Sequence, residues 1–389
     1  MWRARANDGQ VHQRGSRVAL YNLCFLGATY FMPVLGGYIS VRYGWRTQFI
    51  IIAAFLGPLC LLVFLFVPEH TYVRAAVLET DMASSTSSLG IDRGADTNTD
   101  ADADPDSAAA AVAAAAAERP HTFVQQLRLY NGRFSGESLG RSLLAPFVLF
   151  IYPATLWAFL FQGTFITWGI GVSIVLAQIF TAPPFLFNPE QLGYMYAAPF
   201  VGALASYAVA GVFSDTVAKA MARRNNNIFE PEFRIALVAP VAVVALPGIF
   251  VFGAAAVAPH AHWIVPSICY GLLTFGVVMS CTATYSYLLD SHRAISVEMM
   301  VSVLLLKNCW AFGSTFFLNN WLTARGPRDM FFVIGGVQAA VCLASVPMYV
   351  FGKILRCAIG RFNPLGRVGL DPVAVGGGGR GPKATGVFN

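Results

Sequence analysis

The chain has 389 residues, of which 56% are hydrophobic and only 12% charged, with a net charge of +6. Soluble domains carry about 25% charged residues, so this composition, with a mean hydropathy of +0.58, excludes an ordinary soluble domain and points to a polytopic membrane protein. The basic residues sit at the edges of apolar runs and do not form one face, which argues against a nucleic-acid partner.

Residues 1–17 are polar, with Arg3, Arg5, Arg14 and Arg17. A transmembrane helix needs roughly 20 apolar residues. Val18–Ser40 and Trp45–Val67 both reach that length, and Pro68-Glu69 closes the second. The first run is too long for the apolar region of a cleaved signal peptide, about 7–15 residues. The middle of the next segment, Asp81–Ala117, is rich in Asp, Ser, Thr and Ala and poor in aromatics, which predicts a disordered linker. His121–Tyr130 reads as a short amphipathic helix at the membrane surface.

Phe147–Phe180 then runs for 34 residues without a charge. That is too long for one upright span and too short for two with a turn. It predicts one long helix, tilted or kinked near Pro153, Gly163, Gly169 or Gly171. Further spans are expected at Gln191–Phe213, Ile235–Val257, Trp263–Leu288, Met299–Leu322 and Met330–Gly352, which makes eight. The fold class is therefore an all-α transmembrane helical bundle. Its expected parts are 1–67, a basic start with two spans; 68–145, a largely disordered cytoplasmic loop; 146–352, six spans; and 353–389, a flexible tail.

Short loops rich in Lys and Arg stay on the cytoplasmic side. With the start inside, the inside segments hold 21 of the 26 Lys and Arg residues and the outside loops 4, while Lys307 lies within a span. Splitting 147–180 in two would erase most of that asymmetry. Eight spans with both termini cytoplasmic is the arrangement the charges favour.

Few residues carry chemistry. Six of the seven cysteines lie in apolar runs and none is spaced CxxC, so neither a disulfide framework nor a zinc site is indicated. Gly136–Gly140 matches G-x-S-x-G, but no strand pattern precedes it, as a nucleophile elbow requires. No nucleotide-binding loop, metal motif or catalytic constellation is present; the chain reads as neither an enzyme nor a cofactor protein. Lys307 stands out, because a lysine at the bilayer centre costs roughly 2.5–3.5 kcal/mol. It faces either a water-filled cavity or a polar partner on a neighbouring helix.

The motifs, in order, resemble one family. HQRGS (His12 to Ser16), GATYFMPVLGGYI (Gly27 to Ile39), YGWR and PEHT around the second span, TAPPFLFNPEQLGYMYAAPFVGA, EPEFR (Glu230 to Arg234) and YLLDSHRAISVEMM (Tyr287 to Met300) look like the fifth helix onward of a major facilitator superfamily transporter, of the fungal drug:proton antiporter kind. The resemblance implies twelve spans, of which eight are recognisable, and a truncation before the fifth. It implies a secondary active transporter in the plasma membrane that moves a small organic solute with protons by alternating access. The alternative is a non-transporting membrane fragment or scaffold.

The resemblance also carries residues over. Pro33, Gly36 and Gly37 match the fifth-helix signature, whereas Ala28 and Met32 stand where glycines are usual. Gly211, Asp215, Arg223 and Arg224 look like a degenerate loop signature. Asp215 is expected just past the end of its span, within reach of the arginine pair, as a latch between helix ends; a plain positive-inside anchor is the other reading. Facilitator halves consist of two inverted three-helix repeats, with substrate near the midplane. The first helices of the repeats would be 147–180 and 263–288, both interrupted by Pro and Gly. Pathway candidates are Trp157, Gln162, Trp168, Tyr285, Lys307 and Asn308, each of which could equally be a packing residue.

Overall fold

The computed structural model describes residues 28–66, 139–183, 185–226, 230–258, 262–292 and 295–362, with Pro364. Regular structure among them is entirely helical. The expected linker 81–117, the surface helix 121–130, the start 1–17 and residues 136–138 of the G-x-S-x-G motif lie outside the described residues.

Helix α1 covers residues 28–43. Gly44 follows with φ 81, a left-handed conformation that only glycine adopts cheaply, and turns the chain into α2 (Trp45–Phe66). From Ile51 onward α2 belongs to a second compact unit, and residues 51–64 are exposed.

The other unit holds α1 and the start of α2 and resumes with α3 (Leu139–Val148), which begins within the expected loop 68–145. A 3-10 turn, Leu149–Ile151, leads to Tyr152, extended at ψ 122, and then to Pro153. A residue before proline is pushed out of the α region, and proline itself suits the first helical position. So the charge-free run 147–180 does not kink at Pro153; it breaks there, and the spanning helix α4 is Pro153–Thr181. Its own irregularity is a π-turn at Phe159–Gly163, upstream of Gly169 and Gly171.

Asn188 starts α5 (Pro189–Tyr194) with a reciprocal capping box to Gln191. Helix α6 (Ala197–Arg224) follows. It runs eleven residues past Phe213, where the expected span ends. Gly211 and Asp215 sit inside α6, and Arg223 and Arg224 form its last turn. The reason is composition: Val217 to Arg224 consists almost entirely of good helix formers, and the terminal arginines complement the negative end of the helix dipole. The helix stops only at Asn225 and Asn226, the latter at φ 51.

A 3-10 segment, Pro231–Leu237, feeds α7 (Val238–Ala255), and α8 (Ile264–Ser291) returns across the bundle. The last element, α9 (Ser296–Phe362), is two limbs joined at Gly326, with φ 76 and ψ 166. Leu318 and Gln338 are 20 residues apart, about 30 Å along a straight helix. Yet Leu318 lies against Gly171 while Gln338 bonds Trp168, one turn away on α4. The limbs therefore fold back as a hairpin. Helical structure also continues to Phe362, ten residues into the expected tail.

Among the described residues, six helices are long and apolar enough to cross a membrane, against eight spans expected over the whole chain. The first expected span is described only from residue 28, and the last two run together through Gly326. Helices α8 and α4 are the most enclosed, with 78% and 67% of their apolar windows buried, compared with 28% for α5–α6. They form the axis on which the others pack. Small residues let the axes approach. A Cβ added to Gly202 of α6 would stand 2.2 Å from the Gly271 carbonyl oxygen of α8.

Candidate functional site

The π-turn of α4 carries the polar centre of the bundle. A π-turn inserts a residue into the helical ladder and re-aims what it holds. Gln162, inside that turn, is fully buried. Its Nε2 donates to the Tyr285 hydroxyl at 2.8 Å, and its Oε1 accepts from Thr284 Oγ1 at 2.7 Å. The amide is thus pinned from both sides by α8, as a buried polar group must be. Next to it, Gly163 faces the first limb of α9. A Cβ there would lie 3.6 Å from the Lys307 Cβ and 3.0 Å from the Phe159 ring.

Lys307 is eleven residues into α9, about 16 Å from its start, close to half of a bilayer core of roughly 30 Å. It is half-buried and makes no ion pair with any described residue. Of the two readings left open for it, a partner on a neighbouring helix is not seen among the described residues. Gln162, Tyr285 and Lys307 converge on one wall; the other candidates do not join them. Trp157 Nε1 donates to Ser345 Oγ at 2.9 Å and Trp168 Nε1 to Gln338 Oε1 at 3.0 Å, so both indoles tie α4 to the second limb of α9, on another side. Asn308 is exposed, turned away from that wall.

Pro33 and Gly37 belong to a helix contact, and Gly36 faces the Gln48 side chain. A Cβ on Gly37 would come 2.8 Å from the Pro189 carbonyl oxygen, and one on Gly193 3.0 Å from that of Pro33. The backbones of α1 and α5 touch, which only glycine permits. Beside the contact lies a cleft of about 440 Å³, lined by Met32, Pro33, Gly36, Ser40, Gln48 and Tyr196.

The residues that staple one end of the bundle were not singled out from sequence. Arg234 Nη1 donates to Ser214 Oγ of α6, and its Nε pairs with Asp290 Oδ2 of α8 at 3.0 Å. Arg356 Nη2, on the second limb of α9, grips both oxygens of Glu232 at 2.7 and 2.9 Å. Lys353 pairs with Glu230 at 2.9 Å. Arg234 links α6 to α8 at this end, and Arg223 and Arg224 are exposed on α6. The side chain of Asp215 lies outside the described residues. His292 closes the same end. It sits edge-on to Tyr152 at 5.8 Å, and burial, helped by the Arg356 charge, lowers its pKa to about 4. EPEFR and DSHR carried the signal: charges immediately flanking apolar runs, before α7 and after α8.

A larger groove, about 620 Å³, lies between α7 and the second limb of α9, lined by Ile235, Ala239, Leu246, Leu343 and Val346. Its lining is mostly apolar, whereas a solute site needs a few placed polar groups.

Comparison with known proteins bears on what this arrangement does. The sequence profile of the Major Facilitator Superfamily matches residues 10–294. An uncharacterized MFS-type transporter of Schizosaccharomyces pombe is 24% identical, over 89% of this chain and 63% of its own length. Protein HOL1 of Saccharomyces cerevisiae is 22% identical, over 89% of this chain and 66% of its own. The MFS transporter cpaT of Aspergillus oryzae is 25% identical, over 88% and 62%. The chain thus spans a little under two thirds of the length of these relatives. No solved structure matches.

Proposed function

Since the chain belongs to the Major Facilitator Superfamily, and is an integral multi-pass membrane protein and not an enzyme, we propose that it takes part in secondary active transport of a small organic solute by proton-coupled alternating access. The observation that carries this reading is the wall formed by Gln162, Tyr285 and Lys307. Polar side chains within membrane-spanning helices are expensive, and mark a solute or ion path when they converge on a helix interruption. Here they meet at the π-turn of α4, against α8 and α9.

In this reading the end stapled by Arg234 and Arg356 is cytoplasmic, as are both termini, in the plasma membrane. The support is the uneven distribution of Lys and Arg along the sequence. Arg223 and Arg224 anchor α6 at that surface. Tyr285 orients Gln162, and Lys307 meets the solute or sets the charge of the path. Trp157, Trp168 and Asn308 have supporting roles at the pathway rim or in packing.

The test is accumulation of a panel of organic solutes in cells that express the chain and lack their own export pumps. The reading expects one class of solute to change its steady-state level, and a protonophore to abolish the difference. An expressed, membrane-inserted chain that alters no solute, or one whose effect survives the protonophore, would count against transport or against proton coupling respectively.

A further inference from the structure

We propose that the groove between α7 and the second limb of α9 holds an acyl chain of one anionic phospholipid, with the headgroup phosphate at Arg224 and Lys353. This site is separate from the polar wall at the π-turn, and it stands whether or not that wall carries solute. Three observations carry it. The first is length. Along α9 the groove runs from Ala339 to Tyr349, ten residues or about 15 Å of helix. That is one leaflet of a hydrocarbon core roughly 30 Å thick. The walls over this distance include Ala239, Ala242, Leu246, Leu343 and Val346, all aliphatic.

The second observation is where the charges fall. Met221 of α6, Ile235 before α7 and Tyr349 of α9 line the stapled end of the groove. Residues three or four apart share a helix face. Arg224 therefore stands one turn beyond Met221, and Lys353 one turn beyond Tyr349, so each wall helix ends in a cation at the mouth. Arg224 is exposed and makes no ion pair with any described residue. Lys353 pairs with Glu230, but its side chain is 70% exposed and an ammonium has three donors, so it keeps room for a second anion. Basic pockets between spanning helices bind anionic headgroups in this way. The third observation is Tyr349 itself. It is exposed between the aliphatic walls and the cations, and tyrosine favours headgroup level in a bilayer. An aliphatic groove alone would take any lipid; the cations at its mouth select the anionic one.

The test is native mass spectrometry of the full chain, purified in detergent with equal amounts of phosphatidylglycerol and phosphatidylcholine of the same acyl chains. The proposal expects one phosphatidylglycerol retained per chain in preference to phosphatidylcholine. A cation near the headgroup is worth about fivefold in affinity. Arg224→Gln should therefore lower the preference about fivefold, and adding Lys353→Gln should abolish it. Ala242→Trp fills the groove and should release the lipid with both cations in place; Val346→Trp serves where Ala242→Trp does not fold. Equal retention of the two lipids overturns the proposal, as does a preference that survives the charge variants or the filled groove. Inorganic phosphate should leave the bound lipid in place; phosphate retained instead of lipid would mean a site for a free anion. A dimer that disappears in Val346→Trp would mean that a second copy covers the groove, which also overturns the proposal.

Discussion

Gln162 and Arg356 hold the bundle together by different means. Gln162 accepts from Thr284 and donates to Tyr285 at once, so Gln162→Leu removes both bonds between α4 and α8, although Thr284 Oγ1 keeps its bond to the Ser280 carbonyl. Each lost bond is worth about 0.5–1.5 kcal/mol. The expected outcome is a lower melting temperature by tryptophan fluorescence, with transport reduced further than stability explains. Arg356 is bidentate to Glu232, whose side chain is only 4% exposed. Arg356→Ala therefore leaves a buried carboxylate unpaired, a loss of roughly 3–5 kcal/mol. Adding Glu232→Gln to Arg356→Ala should return much of that loss, since the burial cost of the charge disappears; a double variant no better than the single would contradict this account. The pH dependence has a definite sign. His292 has its pKa lowered to about 4, whereas an unfolded histidine titrates near 6.5. Between these values the unfolded chain binds the extra proton, so stability rises with pH through the window and is complete above it. Melting scans from pH 4 to 7 should show that slope, and His292→Gln should flatten it.

At the scale of elements, helix contacts and breaks decide the fold. The crossing of α6 and α8 leaves no room for a methyl group at Gly202. Gly202→Ala should drive the helices apart, costing about 1–3 kcal/mol as overpacking does, and Gly202→Leu should prevent assembly. The substitution Gly211→Ala on the same helix meets nothing within 4 Å and should be neutral. What the sequence revealed divides along the same line. Apolar runs located nearly every helix, because a span of that length has few alternative fates in a membrane. Their ends were less legible. The run of Ala, Lys, Met and Arg from 218 to 224 favours helix whether or not it is buried, so charge marked the edge of the apolar core and not the end of α6. The break at Tyr152-Pro153 was visible as a proline, but the π-turn was not, since no residue type specifies one. Gln162 and Lys307 could be nominated because polar groups in spans are rare. Their proximity, and the separation of Trp157 and Trp168 from them, depends on helix rotation, which a single sequence does not encode at that precision.

For the whole molecule, the central claim is that α4, α8 and the first limb of α9 line an aqueous path with Lys307 midway along it. Seven native cysteines can be removed and single ones introduced. The decisive measurement is labelling of Lys307→Cys, in sealed membrane vesicles, by a charged thiol reagent that does not cross lipid. Asn188→Cys, exposed at the start of α5, serves as the accessible control. The account predicts that the Lys307→Cys thiol reacts. A control that labels fully beside a Lys307→Cys thiol that never reacts would mean that this wall faces lipid or sealed protein, and no path runs along it.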